Sequence, residues 1–231
     1  MKNAMRFLAW LALAAAAIFL AVQLSFVVRV WWWRDHNPQS TAFMEAGRER
    51  MREKKSDAMV RQAWLPYERI SPHLKRAVVA AEDAKFADHE GFDWEAIEKA
   101  MEKNRKKGKV VGGASTISQQ LAKNLFLSAD RTAWRKGQEA IITVMIENLM
   151  DKRRILEIYL NVIEWGDGVF GAEAAARHYF GTGAATLGPE AAARLAAMVP
   201  NPRFYDRNRN TAWLMRKTRM ILARMPSAEI P

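Results

Sequence analysis

From Phe7 to Val28 the chain reads FLAWLALAAAAIFLAVQLSFVV, about 22 residues without a formal charge. A helix of that length rises about 33 Å, enough to cross the hydrocarbon of a bilayer. The apolar region of a cleaved secretory signal is shorter, roughly 7–15 residues, so the run is read as an uncleaved signal anchor. Trp31, Trp32, Trp33 and Arg34 follow it, where an interfacial aromatic belt belongs. Lys2, Arg6 and the amino terminus favour a cytoplasmic N-terminus, and Arg29 and Arg34 on the far side weaken that bias.

With one span in place, the charge balance has a direction. Lys and Arg number 36 against 25 Asp and Glu, a net charge of +11. Such a chain expects anionic partners: nucleic acid, anionic lipid heads or phosphate-bearing substrates. Next to a membrane span the lipid reading is the natural one. There is no cysteine, which excludes disulfides and thiolate metal sites. The organisation expected is residues 1–34 as cytoplasmic tip and anchor, 35–60 as a charged, helical linker, and 61–231 as one mostly α domain.

The helices announce themselves. Ser71-Pro72 is a good start, with Ser as N-cap and Pro at the first helical position. Leu74, Ala77, Val78 and Ala81 then form an apolar stripe. Asp93 can cap a second helix ending at Gly108, and Ser115 a third with Ile117, Leu121 and Leu125 on its apolar side. A fourth over about 131–151 places Trp134, Ile141, Met145 and Leu149 on one face. RRILEIYL extends a fifth, GDGVFG is a turn cluster, Gly181 ends a short helix, and Pro189 starts another that stops before VPNP. The last, about 208–224, is basic. No period-two alternation exceeds four residues, so the domain reads as mostly α with many short helices.

Three places carry chemistry. Glu82 follows Val78 by four residues and so lies at the edge of the apolar stripe. A half-buried carboxylate there has a raised pKa suited to proton transfer, whereas an ordinary surface Glu would pair with Lys75 or Lys85. His89 in HEGFD has no zinc-motif spacing and reads as a structural hydrogen-bonder. Arg135, Lys136 and Glu139 share one helix face, which alone reads as a surface ion-pair cluster. The stretch VVGGASTISQQLAKNLFL is the most unusual. Ser115 and Thr116 open a helix whose free N–H groups favour an anion, and Gln119, Gln120, Lys123 and Asn124 follow. A P-loop is excluded because GxxxxGK[ST] is absent. An anionic, sugar-bearing ligand suits these side chains.

In this order, EDAKFADHEGFD, GGASTISQQLAKNLFL, RKGQE and KRRILEIYLN resemble the motif series of glycosyltransferase family 51. That is the peptidoglycan glycosyltransferase domain of bifunctional penicillin-binding proteins. The resemblance covers about residues 66–205, with Ala114 and Ser118 where the family more often has Gly and Thr. Ser-x-x-Lys and Lys-Thr-Gly are absent, so the likeness is to the monofunctional members. It implies a lysozyme-like, two-lobed α fold whose second lobe dips into the bilayer, with apolar residues of VVGG and NLFL contributing.

The resemblance also implies roles. Glu82 matches the general base that activates the acceptor's 4-hydroxyl. Glu139 matches the second essential glutamate. Lys123, Arg135 and Lys136, with Arg131 as a further candidate, match residues that hold phosphates. Ser115, Thr116, Gln119, Gln120 and Asn124 match substrate-binding positions. The implied partners are lipid II, the nascent glycan strand, the membrane, and cell-wall synthesis or division proteins, with no nucleic acid. No cofactor is obligatory, although a divalent cation (Mg²⁺ or Mn²⁺) commonly assists the family. The implied location is the inner membrane, single-pass, with the domain on the periplasmic side. Two rivals remain: a lysozyme-like peptidoglycan-cleaving enzyme, which needs no converging cations, and a non-enzymatic, membrane-tethered basic module, which needs no Glu82.

Overall fold

The computed structural model describes residues 2–54, 59–109, 113–130 and 132–231, without the Lys54 side chain. Val110, Val111, Gly112 and Arg131, singled out above, lie outside the described residues. The first element is a 32-residue helix, α1 (Lys2–Trp33), which is apolar and long enough to cross a membrane. Its N-terminal two-thirds touch almost nothing, whereas Phe26 and Val30 near its end are buried against the domain.

Next comes α2 (Ala42–Lys54), in the segment expected to be a linker. It is amphipathic and seated on the domain. Met44 is fully buried, Arg50 pairs with Glu164 at 2.6 Å, and Gly47 lies under the Phe170 ring. The charge run hid this, because one buried Met and one glycine carry little hydrophobic signal in a sequence rich in Arg and Glu.

The core is built by α3 (Pro72–Glu82), α5 (Ile117–Phe126), α7 (Lys152–Val162), α8 (Ala172–Phe180) and α9 (Pro189–Met198). Ser71 caps α3 as expected, accepting from the His73 N–H, and Leu74, Ala77 and Val78 of the predicted stripe are fully buried. From Ile155 to Val162, α7 buries every residue except Glu157, so it reads as a central helix rather than an amphipathic one. The helix α4 (Trp94–Lys107) has its expected Asp93 cap and left-handed Gly108, yet buries none of its residues. Around the core lie α6 (Ala133–Leu149), α10 (Pro202–Arg207) and α11 (Ala212–Arg224).

One expectation fails in an instructive way, and one small feature had no signal in the sequence. On α6 the face with Trp134 and Ile141 is exposed, and the buried face carries Gln138, Glu139, Ile142, Thr143 and Ile146. Three short strands also exist: β1 (Arg61–Gln62), β2 (Glu164–Gly166) and β3 (Val169–Phe170). They form one sheet in the order β1-β3-β2, with β1 parallel to β3 and β2 antiparallel to it. At two or three residues each, they are too short to show alternation.

The sheet is fastened to α7 at Asn161. Its amide donates to the Leu65 carbonyl at 2.9 Å and accepts from the Leu65 N–H at 2.8 Å. Gly171 then turns the chain from β3 into α8 at φ +79°, and a Cβ there would stand 2.6 Å from the Asn161 carbonyl oxygen. Both the positive φ and the backbone contact oppose any side chain. Gly171→Ala is therefore expected to cost about 2 kcal/mol or more and lower Tm by about 4–8 °C. Thermal unfolding of the detergent-held protein checks this, and an unchanged Tm would refute it.

Candidate active site

The site begins where α3 ends. Glu82 is the last residue of that helix, and Asp83 leaves helical geometry at φ −163°, so the two neighbouring carboxylates aim apart. Asp83 turns inward. It accepts from the Ile117 N–H at 2.9 Å and meets His89 Nε2 at 2.9 Å. His89 Nδ1 in turn accepts from the Gly91 N–H, which places the ring proton on Nε2 and makes His89 a donor to Asp83. His89 is thus the structural hydrogen-bonder expected of it.

This changes the reading of the α5 N-terminus. Its free N–H groups were expected to wait for a ligand's anion. The anion found there is the Asp83 carboxylate. The cap is Thr116 rather than Ser115, in a capping box: Thr116 Oγ1 accepts from the Gln119 N–H, and the Gln119 side chain accepts from the Thr116 N–H. Thr116 Oγ1 also donates to the Gly91 carbonyl. Both side chains are buried and occupied in shaping the helix start, so they act on the site by position. Ser115 is exposed, with its hydroxyl 3.4 Å from Lys136 Nζ.

Gln120 is the side chain that faces the chemistry. Its Nε2 donates to Glu82 Oε2 at 2.9 Å, and its Oε1 accepts from the Tyr159 hydroxyl at 2.8 Å. The two neighbours fix which end of the amide faces the carboxylate. Burial pushes the Tyr159 phenol well above its ordinary pKa, helped by the charges of Glu82 and Asp83, so it remains a donor. The lysines that could have neutralised Glu82 are engaged elsewhere: Lys75 donates to the Tyr67 carbonyl and Lys85 pairs with Glu95. Burial therefore raises the Glu82 pKa; the Gln120 hydrogen bond and the charge of Lys217 oppose the shift without cancelling it.

The cations gather one turn further along. Lys123 on α5 has no ion-pair partner among the described residues; its ammonium lies 5.5 Å from the Phe43 ring centroid. Burial depresses its pKa. The charges of Glu139 and Glu82 favour its protonation, while those of Arg135 and Lys136 oppose it, so all five groups share one field. On α6, Arg135 and Lys136 both grip Glu139, whose side chain is only 3% exposed. Glu139 and Arg135 therefore lie inside and only Lys136 is at the surface, unlike the surface network their spacing suggested. Arg135 Nε is buried without a hydrogen-bond partner among the described residues. Asn124 spends its amide on the Gln120 carbonyl but lines the cleft.

A cleft of about 230 Å³ opens beside this group, lined by Gln120, Lys123, Asn124, Tyr159, Phe43, Asn201 and Arg203. Tyr159, Asp83, Phe43 and Arg203 were missed by sequence reasoning. Tyr159 and Asp83 stood inside quoted motifs but had no local spacing signal, and the other two come from distant segments. Arg203 is held bidentate by Glu164 at 2.9–3.1 Å. Both Glu139 oxygens are occupied, and among the described residues no three His, Cys, Asp or Glu side chains converge. These residues do not fit a resident divalent cation, and no step is assigned to one.

A partly buried carboxylate against a polar amide, beside an unpaired lysine in an open cleft, suits proton abstraction coupled to departure of an anion. Comparison with known proteins agrees. A family profile described as transglycosylase matches residues 49–226. A biosynthetic peptidoglycan transglycosylase of Nitrosospira multiformis is 64% identical over 215 residues, 93% of this chain and 94% of that one. Proteins of the same name from Dechloromonas aromatica and Herminiimonas arsenicoxydans are 62% and 58% identical over all of both chains.

The raised Glu82 pKa has a consequence for stability. The folded state holds this proton more tightly than the unfolded chain, so the contribution is favourable below the ordinary carboxylate range and is lost as pH rises through the folded value. Glu82→Gln removes the buried charge. The variant is expected to melt above the wild type at pH 7, with the gap closing as pH falls through the raised folded value towards the ordinary carboxylate range. A gap independent of pH would show that Glu82 carries no desolvation cost.

Proposed function

The chain belongs to the biosynthetic peptidoglycan transglycosylase family, and from that premise we propose how its residues divide the work. The reaction is a glycosyl transfer that polymerises lipid II into glycan strands on a mostly α, lysozyme-like domain. The lysozyme-like cleaving alternative has no support. The observation that carries the assignment of roles is the half-buried Glu82 carboxylate, with Gln120 as its hydrogen-bond donor and unpaired Lys123 beside it.

Glu82 takes the proton of the acceptor's N-acetylglucosamine 4-hydroxyl. The oxygen attacks the anomeric carbon of the donor's N-acetylmuramic acid, the bond from that carbon to the phosphate oxygen breaks, and the lipid pyrophosphate leaves with the electron pair. An α-linked donor becomes a β-1,4 bond with inversion. A raised pKa serves this step, since a more basic carboxylate is a stronger proton acceptor as long as it is ionised. Gln120 keeps it from being raised too far. Lys123, Arg135 and Lys136 neutralise charge growing on the leaving pyrophosphate, and Arg135 Nε is a donor without a partner among the described residues. Glu139 positions Arg135 and Lys136 through its two ion pairs. Ser115 and Asn124 face the substrate, and Thr116 and Gln119 hold the wall that presents Gln120 and Lys123. Arg131, from the same stretch of chain, is a further phosphate candidate.

In this reading α1 is a single-pass anchor with its N-terminus in the cytoplasm and the domain on the periplasmic side of the inner membrane. Its length and apolarity support an anchor, and the membrane-borne substrate supports the side. Cell-wall synthesis or division proteins are the partners such a site would meet.

Purified protein with lipid II tests the roles. Glu82→Gln is expected to lose about 10²–10⁴ in kcat, and Lys123→Ala about 10²–10³. Full activity of either variant removes that residue from its role. Gln120→Leu deletes a hydrogen bond that favours the ionised carboxylate, so the acid limb of the kcat/KM profile is expected to move to higher pH. A limb that stays in place would mean that another group sets it.

A further inference from the structure

The anchor helix is fitted to the catalytic domain along a defined seam. Phe19, Gln23, Phe26, Val30 and Trp33 follow one another at steps of four and three and are the more covered residues of the outer half of α1, with Val27 beside them. Phe19 meets Trp134 at 6.1 Å between ring centroids, and Phe26 and Trp33 meet Phe126 at 5.0 and 5.2 Å. Gln23 is the one polar residue of the seam. Its Nε2 donates to Gln138 Oε1 at 3.0 Å. Phe19 to Gln23 and Trp134 to Gln138 are both steps of four, so α1 and α6 run parallel there. The two contacts bracket Arg135 and Lys136, and Glu139 follows Gln138 directly.

A single polar residue in an apolar seam fixes register, because a slide by one turn strands its amide against apolar groups. What the seam registers against the domain is the bilayer. If Trp31 to Trp33 marked the edge of the hydrocarbon, Gln23 would lie about 12–15 Å inside it and Phe19 about 18–21 Å. Trp134, Arg135, Lys136 and Glu139 would then sit near the bilayer centre, since half the core is about 15 Å. Lys136, with 48% of its side chain exposed, would face lipid there at high cost. Placing the edge at Gln23 removes the conflict. The helix from Ala4 to Val22 rises about 28 Å and spans the core alone. Arg6 reaches the inner headgroups by its flexible stem. Exposed Trp134 takes the depth that indole prefers, and Arg29 lies outside, over the rings of Phe26 and Phe126.

We infer that the outer edge of the hydrocarbon lies at Gln23, not at the tryptophan triplet, and that the Gln23–Gln138 hydrogen bond sets the depth at which Arg135, Lys136 and Glu139 meet a lipid-borne pyrophosphate. The inference rests on the proposed reading of α1 as an anchor and of these cations as phosphate ligands. Gln23 is then a positioning residue, acting on substrate only through α6.

The cysteine-free chain makes the test direct. Leu20→Cys, Leu24→Cys, Val28→Cys and Trp31→Cys, all on the uncovered face, are labelled singly with a nitroxide in phosphatidylethanolamine–phosphatidylglycerol nanodiscs. Collision with oxygen against a water-soluble nickel complex reports depth. The expected result is a hydrocarbon signature at Leu20, a crossover at Leu24, and an aqueous signature at Val28 and Trp31. A hydrocarbon signature persisting through Val28 overturns the inference while keeping the anchor. An aqueous signature at all four positions overturns the anchor reading itself. The second arm is kinetic. In nanodiscs Gln23→Leu is expected to raise KM for lipid II about fivefold or more with kcat within about twofold, and Gln23→Asn to recover part of the loss. An unchanged KM, or a loss confined to kcat, would show that the hydrogen bond does not set depth.

Discussion

A carboxylate held out of water is the constraint on which the rest of the site depends. Glu82 could have been neutralised by either of two lysines near it in sequence, and the fold directs both elsewhere. The cost is limited by one hydrogen bond, and that bond is oriented from behind by the hydroxyl of Tyr159, a residue of a core helix. The carboxylate is therefore tuned by a line running from the core. Asp83, the next residue, does the opposite. It is fully engaged with an N–H and a histidine and anchors the start of α5. Because one helix end turns these two acids in different directions, one can be reactive while the other is structural.

The cations obey a second rule. Four cations around the cleft share carboxylates, and Lys123 does not. Glu139 is shared by Arg135 and Lys136, as Glu164 is by Arg50 and Arg203 across the cleft, where Arg50 also pairs with Asp167. Two cations on Glu139 leave that group net positive, which draws an anion without leaving an acid unpaired in the interior. Lys123 completes the field with its pKa depressed, so it has most to gain from a phosphate.

Much of this was readable from the chain. Caps at Ser71 and Asp93, the stops at Gly108 and Gly181 and the stripe of α3 follow local rules, and local rules survive folding. The motif series pointed to Glu82, Lys123, Arg135, Lys136 and Glu139 together. Other features were hidden for identifiable reasons. Thr116 and Gln119 looked like ligands because a capping box and a sugar site use the same side chains. Glu139 looked superficial because i,i+4 spacing says nothing about which face a neighbour covers. On α6 the hydrophobic pattern was right only in part: Met145 and Leu149 pack against the core, whereas Trp134 and Ile141 turn outward and Gln138 and Glu139 are buried beside Ile142 and Ile146. The sheet was invisible because its strands are two or three residues long and β1 finds its partner about a hundred residues away.

That distance has a consequence for how the molecule comes into being. β1 pairs with β3, and Leu65 is held by Asn161, so the early part of the domain has no partner until the chain has been made almost to α8. Loop closure over such a span is slow compared with helix formation. α1 is synthesised first and α11 last, and α3 has to wait for α9 and α11 to cover it. During that interval the apolar faces of α3 and α5 stay uncovered, so a part of the core made early is among the last to be sealed.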